Sequence, residues 1–287
     1  MIMKFASCAF LLGIAGCEDA SMNREKPTIS FELDAPVERA LGSSSVHFIK
    51  DCMLGLCMYK YSLTFSKPLR ANLEIISSAG NLKFDDMVSA TLVTFEGDNI
   101  NSANITLGGI DSDAEHANAM RYHYQLVEKL EAQGWRRFIF QNEARVPGTE
   151  ALKFENTHYV LDKPVGTGPW DDPALKRTQE QWLSMRTFST WYFQKNGVYL
   201  KLRELRWDSE EAPEKKGSYL FTLELESESE FYKGYFEGEK DRKDWKALVP
   251  AELKRMAQER AQTEARLKKM GIAIDESYQD PPIKALE

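Results

Sequence analysis

Alternation of apolar and polar positions dominates the first part of the chain beyond its N-terminal segment. Tyr59, Tyr61, Leu63 and Phe65 alternate with polar neighbours, Leu73 and Ile75 repeat the pattern with Ile76 beside them, and it continues over residues 87–95. A period of two places every second side chain on one face of a sheet, so residues 46–95 are predicted to be strands, with Ser78-Ala79-Gly80-Asn81 as a turn. The period then changes. Ala119, Leu126 and Leu130 keep one helical face and Val127 broadens it. Ser112 with Glu115 three residues on has the composition of a capping box, Asp113 suits the positive end of a helix, and Gly134 is placed to end it in the left-handed region. A helix over 113–133 follows. Trp135 and Phe138-Ile139-Phe140 continue as a strand, and after a Pro147-Gly148 turn residues 152–160 return as its partner.

The same order recurs beyond the breaker-rich stretch 163–170. Asp172 is placed as an N-cap with Pro173 at the first helical position, and Leu175, Trp182, Leu183 and Met185 supply apolar positions. Phe188, Thr190 and Tyr192 then alternate, Asn196-Gly197 is a two-residue hairpin turn, and Val198, Leu200 and Leu202 form the return strand. A helix running on through Phe193 competes, but Thr187, Phe188, Thr190, Trp191 and Tyr192 are better strand formers. Two helix-plus-hairpin stretches, 112–161 and 172–207, point to a duplicated topology, against one mixed sheet carrying two helices. A strand over 219–226 and a helix from Pro250 to just before Gly271 complete the pattern. That helix has a charged face and a thin apolar one, Leu253, Met256, Ala257 and Leu267, so it either packs lightly or waits for a partner. The predicted class is α+β, with antiparallel or mixed sheets, two internal helices and a C-terminal helix. The predicted units are 46–161, 162–249, the helix 250–271 and a tail 272–287.

The first seventeen residues change this picture. Lys4 precedes an apolar run over 5–15 that is too short to span a bilayer and ends in small residues, the pattern of an export signal. The motif Ile14-Ala15-Gly16-Cys17 resembles the lipobox of bacterial lipoproteins. The resemblance implies removal of residues 1–16, a diacylglycerol on the Cys17 thiol and acylation of its freed amine, a firm anchor to a membrane. Glu18, rather than Asp, follows the cysteine, which in that family implies the inner leaflet of the outer membrane in preference to the inner membrane, with the body facing the periplasm. Residues 17–45 are then the lipidated cysteine and a polar tether containing Pro27, Pro36 and Ser43-Ser44-Ser45, although Ile29, Phe31 and Leu33 alternate as an edge strand would. No second stretch is apolar enough to span a membrane.

The chain is 43% hydrophobic and 28% charged, which suits a globular body, and its net charge of −7 argues against phosphate backbones, so nucleic acid is not an expected partner. With Cys8 in the signal and Cys17 lipidated, Cys52 and Cys57 remain as an even pair in an oxidising compartment, and Gly55 between them permits the tight turn a disulfide needs. Four intervening residues and a following strand do not fit a redox catalyst.

Candidate chemistry is sparse. His116 and His123 share a helical face but stand two turns, about 10.5 Å, apart, too far for one ion, so they are weak metal candidates and better read as structural. Glu224, Glu226, Glu228 and Glu230 alternate as one face of a strand, with Lys201 and Arg203 placed to pair with the first two. Phe231, Tyr232, Tyr235 and Phe236 follow, an aromatic group rimmed by acids that has the composition of a partner-binding patch. There is no nucleophile elbow, no zinc-protease motif and no phosphate loop. No catalytic residue is assigned and no cofactor is expected. The function these features imply is a membrane-tethered, protein-binding lipoprotein of the periplasm. Its general plan is similar to the immunity lipoproteins that neutralise toxins delivered by contact-dependent or type VI secretion. The alternative is a structural or assembly lipoprotein of an envelope or secretion complex, working through an exposed seam at Leu253, Met256 and Leu267; a hydrolase is a third reading.

Overall fold

The computed structural model describes residues 25–63, 69–77, 80–155 and 157–287. Cys17 and the lipobox lie outside the described residues, as do Phe65 and part of the turn expected at 78–81. The elements in chain order are β1 (Thr28–Glu32), α1 (Val37–Ser43), β2 (Ile49–Met53), β3 (Leu56–Ser62), β4 (Ala71–Ile76), β5 (Leu82–Phe95), β6 (Ile100–Leu107), β7 (Ala114–Glu115), α2 (His116–Ala132), β8 (Arg136–Arg137), β9 (Tyr159–Val160), β10 (Lys163–Pro164), α3 (Gln179–Leu183), β11 (Phe188–Lys195), β12 (Val198–Asp208), β13 (Lys216–Ser227), α4 (Glu228–Lys233), α5 (Glu239–Lys243) and α6 (Trp245–Lys269).

The fold is α+β, built on an 11-stranded mixed sheet in the order β1-β4-β5-β6-β13-β12-β11-β8. β1 runs parallel to β4, whereas the pairs from β4 through β8 are antiparallel. The long strand β5 is shared along one edge: its first half pairs with β4, its second half with β3, and β2 lies outside β3. The pairing of β5 with β4 and with β6 carries register shifts, which bend a strand locally. The Tyr122 hydroxyl on α2 donates to Asp86 of β5, while its ring packs edge-on against Phe221 of β13. Leu126, Val127 and Leu130 enter the main core with Ile29, Phe31, Leu73, Leu92, Ile105, Trp191, Leu202 and Leu223. One core therefore spans both predicted units. Along β12 the side chains alternate, so Tyr199 faces the other way from Leu200 and joins Phe138, Phe231, Tyr232, Trp245 and Val249 under α4 and α6.

Several expectations are corrected. Residues expected to be tether enter the body at Thr28: Ile29 and Phe31 are buried on β1, and α1 follows. Helix α2 starts at His116, later than expected, because Ala114 and Glu115 pair with Gly217 and Lys216; Ser112 makes no cap and Asp113 has φ 54°. Gly134 does end the helix with φ 86°. The expected pairing of 135–140 with 152–160 does not form: only Arg136 and Arg137 join the sheet, residues 148–153 form a 3₁₀ turn, and Tyr159–Val160 pairs with β10 instead. The duplicated helix-hairpin plan is thus not built, and a single mixed sheet takes its place. Asp172 caps no helix. Its carboxylate accepts from the N–H groups of Gly148 and Ala174 and pairs with Arg137, while α3 begins after Thr178, which forms a capping box with Gln181. The Asn196-Gly197 hairpin and the strand after it form as the pattern requires, both turn residues having positive φ. Helix α6 starts at Trp245, ahead of Pro250. The expected tail packs on the body: Ile272 is buried, the N–H of Ile139 donates to the Tyr278 hydroxyl at 2.9 Å, and the N–H groups of Lys284 and Ala285 donate to Glu228.

Candidate functional site: a braced hairpin and a buried polar cluster

Cys52 and Cys57 face each other across the β2–β3 ladder and form a disulfide. The chain reverses at Leu54 and Gly55, with φ of 50° and 81°, a geometry that costs glycine little and is costlier for leucine. Every residue of β2 is exposed, and among the described residues no strand pairs with its outer edge. Ile49 is 69% exposed, Met53 70% and Leu54 93%. Folding gains little from these side chains, although burying one of that size is worth about 1.5–3 kcal/mol. The tip is held from behind by an Asp51–Lys60 ion pair at 2.9 Å and by Lys50 lying over the Tyr59 ring. Next to the hairpin, a cavity of about 420 Å³ runs from Leu56, Val93 and Phe95 on the sheet to Lys233, Glu237 and Arg242 on the opposite wall. With its disulfide behind an exposed apolar tip, the hairpin is suited to enter a concave apolar surface.

The acidic and aromatic segment is not such a surface. Glu224 and Glu226 lie on β13 and pair with Arg203 and Lys201 diagonally across the ladder, in which Lys201 stands directly opposite Glu224. The strand ends at Ser227, whose hydroxyl caps α4, so Glu228 and Glu230 leave the shared face. Glu228 is buried beneath the C-terminal segment, and Glu230 pairs with Arg242 at 2.8 Å. Phe231 stacks on Tyr199 at 3.7 Å, and Tyr232 is fully buried with its hydroxyl 2.9 Å from that of Tyr199. Tyr235 donates to Gln141, and Phe236 packs on the same cluster. Phe231, Tyr232, Tyr235 and Phe236 are core or core-edge residues rather than an interface. The pull of ring burial decides this, because α4 turns its aromatic face onto the sheet.

His116 and His123 lie in separate buried surroundings, and among the described residues no group of three or more His, Cys, Asp or Glu is arranged to hold an ion. His116 is buried with Nε2 2.8 Å from the carbonyl of Pro213 and Nδ1 2.5 Å from the Tyr219 hydroxyl. Its Nε2 must donate to the carbonyl, which leaves Nδ1 to accept from Tyr219 when the ring is neutral. His123 lies between Trp182 and Trp191, with ring centroids at 5.0 and 4.2 Å. Its Nδ1 faces Glu204 Oε2 at 3.7 Å, beyond hydrogen-bond reach. Burial, reinforced by Arg177 and Lys176, pushes His123 down to about 3. Burial also pushes Glu204 up to about 8, against the pull of Arg206, and Asp171 up to about 7, against that of Arg177. The Nη2 of Arg177 is 3.5 Å from Asp171 Oδ1; Arg206 donates to the carbonyls of Trp182 and Leu183. His123 Nδ1, Asp171 Oδ1, Glu204 Oε2 and Trp191 Nε1 have no hydrogen-bond partner among the described residues.

This cluster draws on α2, the loop before α3, α3 itself and the sheet, so no local motif announces it. One signal was available: Leu200, Leu202, Glu204 and Arg206 share a face of β12, which carries two charges into core positions. Its histidine and Glu204 are sealed from solvent, so they meet no substrate directly. Helix α6 offers no seam either. Met256 and Leu267 are buried, Leu253 is half-buried, and Arg260 and Glu264 on the same face reach Asp280 and Arg145. No helix among the described residues is long and apolar enough to cross a membrane. No family model matches the chain, and no curated protein or solved structure shows significant similarity to it.

Proposed function

We propose that the chain is a periplasm-facing lipoprotein, anchored through Cys17, that binds another protein by inserting its disulfide-braced hairpin into an apolar recess of the partner. The exposed tip, Met53 and Leu54 with Ile49 behind them, is the observation that carries this reading. Apolar side chains held rigid in solvent lose little entropy on docking and bury their full area, which is how a small contact becomes a strong one. Neutralisation of a delivered toxin is the form of binding favoured here, because a tethered inhibitor needs only to occlude its target where the target arrives. The acidic patch has no part in it, since those residues are paired or buried. The assembly reading loses its main support, because the seam it required is covered within the molecule.

The test uses the full acylated chain in its native cells. Wild-type protein is expected to retain one partner on affinity capture, and Met53→Asp/Leu54→Asp to lose it with an unchanged melting temperature and unchanged membrane fractionation. Sensitivity of the variant strain to sister cells, with an intact envelope, identifies the partner as a toxin. Equal recovery by the two proteins sinks the hairpin reading. Failure of Cys17→Ser to release the protein from the membrane fraction sinks the anchor.

A further inference from the structure

A second cavity, of about 370 Å³, lies on another part of the molecule, where the 3₁₀ turn at 148–153 and the residues after it approach α3. Leu152 and Phe154 form its apolar wall; Arg177, Gln181 and Ser184 form the polar one. Arg177 is the unusual member. Its side chain is 97% removed from solvent, yet the ion-pair partner of its guanidinium is Asp171 at 3.5 Å, longer than a well-formed charge-assisted bond. Asp171 Oδ1, itself buried, has no hydrogen-bond partner among the described residues. The backbone N–H of Arg177 donates to the Tyr124 hydroxyl at 2.8 Å, and that hydroxyl donates to the Leu175 carbonyl, so the segment presenting the guanidinium is fixed from α2.

A guanidinium carries five donors in one plane, and a planar carboxylate satisfies two of them in parallel. Gln181 adds to this. Its Oε1 already accepts from the N–H of Thr178, which leaves the amide Nε2 as a donor at the polar wall. Leu152 remains 46% exposed, an apolar residue at the mouth for which the fold provides no cover. Glu155 also lines the cavity and Asp171 lies behind Arg177, so the site disfavours a doubly charged anion.

We propose that this cavity binds a small monocarboxylate with an apolar body, the carboxylate meeting Arg177 and Gln181 and the body lying on Leu152 and Phe154. The site is independent of the hairpin and of any protein partner. It assigns to the chain a small-molecule function, such as sensing or carrying an organic acid, alongside protein binding.

Phenylacetate, its neutral isostere phenylacetamide, and inorganic phosphate serve as probes in calorimetric titrations of the full chain, with amide chemical shifts as a second readout. Phenylacetate is expected to bind saturably, with shifts confined to residues around Arg177 and Gln181, and the amide and phosphate to bind roughly tenfold or more weakly. Arg177→Gln is expected to abolish binding. Because Arg177 is buried, Leu152→Asp is the safer variant: it sits at the exposed mouth, leaves the core untouched, and is expected to weaken phenylacetate by roughly tenfold through charge repulsion and lost apolar contact. Equal binding of phenylacetate and phenylacetamide overturns the proposal. So does unchanged phenylacetate binding in Leu152→Asp, or the lack of any saturable response to phenylacetate.

Discussion

Glu204 occupies a position that its strand reserves for apolar side chains, and the consequence is a stability that depends on pH. His123 is held neutral, at about 3 against an ordinary 6.5, so its contribution is complete above pH 6.5 and is lost as the pH falls toward 3 and the unfolded chain takes up the proton. Glu204, at about 8 against 4.5, works in the opposite sense. The folded state keeps a proton that the unfolded state has released, so stability falls as the pH rises from 4.5 through 8, and Asp171 follows the same direction up to about 7. Between pH 6.5 and 8 the histidine no longer opposes them. The melting temperature of the wild type is therefore expected to fall over that interval. Glu204→Gln, neutral at every pH, is expected to flatten the slope and to gain about 2 kcal/mol relative to wild type by pH 8, read from urea denaturation at the two pH values. A wild-type profile as flat as that of the variant contradicts this account.

At the level of elements, the hairpin and the turn into α2 make opposite demands. Strand β2 pairs with β3 and is otherwise exposed, so it adds little to the core that the melting transition reports. Replacing both Cys52 and Cys57 by Ser is expected to cost no more than about 2 kcal/mol of global stability, the loop-entropy limit for so short a cross-link. Hydrogen exchange over residues 49–53 is expected to accelerate and partner capture to weaken. The segment before α2 has no such slack. A Cβ at Gly109 would lie 2.2 Å from the Tyr122 ring and 2.5 Å from Asp86, whose mutual hydrogen bond ties α2 to β5. Gly109→Ala is expected to cost about 1–3 kcal/mol in denaturant midpoint analysis. The alternating strands and the Asn196-Gly197 turn were legible because their periods and turn residues are local. The start of α2 was not, because pairing of Ala114 and Glu115 with β13, a hundred residues away, overrides the Ser112-to-Glu115 capping pattern.

Across the whole molecule, the C-terminal segment acts as a strap over the face opposite α2. Arg260 of α6 is buried and donates to the carbonyls of Glu143 and Phe140 and to both carboxylate oxygens of Asp280. Glu228 in turn accepts from the N–H groups of Lys284 and Ala285. Deleting residues 272–287 takes Asp280 from Arg260 and both N–H donors from Glu228, and the expected loss is about 3–5 kcal/mol, measurable as a lower urea midpoint. A mild effect confined to fraying of α6 would show that the segment is an appendage. The polar composition of 272–287 reads as a tail because its contribution lies in backbone and carboxylate bonds to distant elements, which hydropathy does not register.

The sequence by itself determined the α+β class, the strand-rich start, the Asn196-Gly197 hairpin, the C-terminal helix and the pairing of Cys52 with Cys57, because each follows from a local period, a turn residue or an even cysteine count. It also carries the motif at Cys17 on which the proposed anchoring rests. Only the tertiary structure decided which polar and aromatic residues face outward. Phe231 and Tyr232 resemble an interface in composition but are drawn into the core by stacking on Tyr199. Met53 and Leu54 resemble ordinary strand residues, yet they are left in solvent because β2 is the outermost strand beside β3 and no strand among the described residues pairs with its outer edge. Exposure belongs to the packed molecule: it depends on what covers a face, and the covering element comes from elsewhere in the chain.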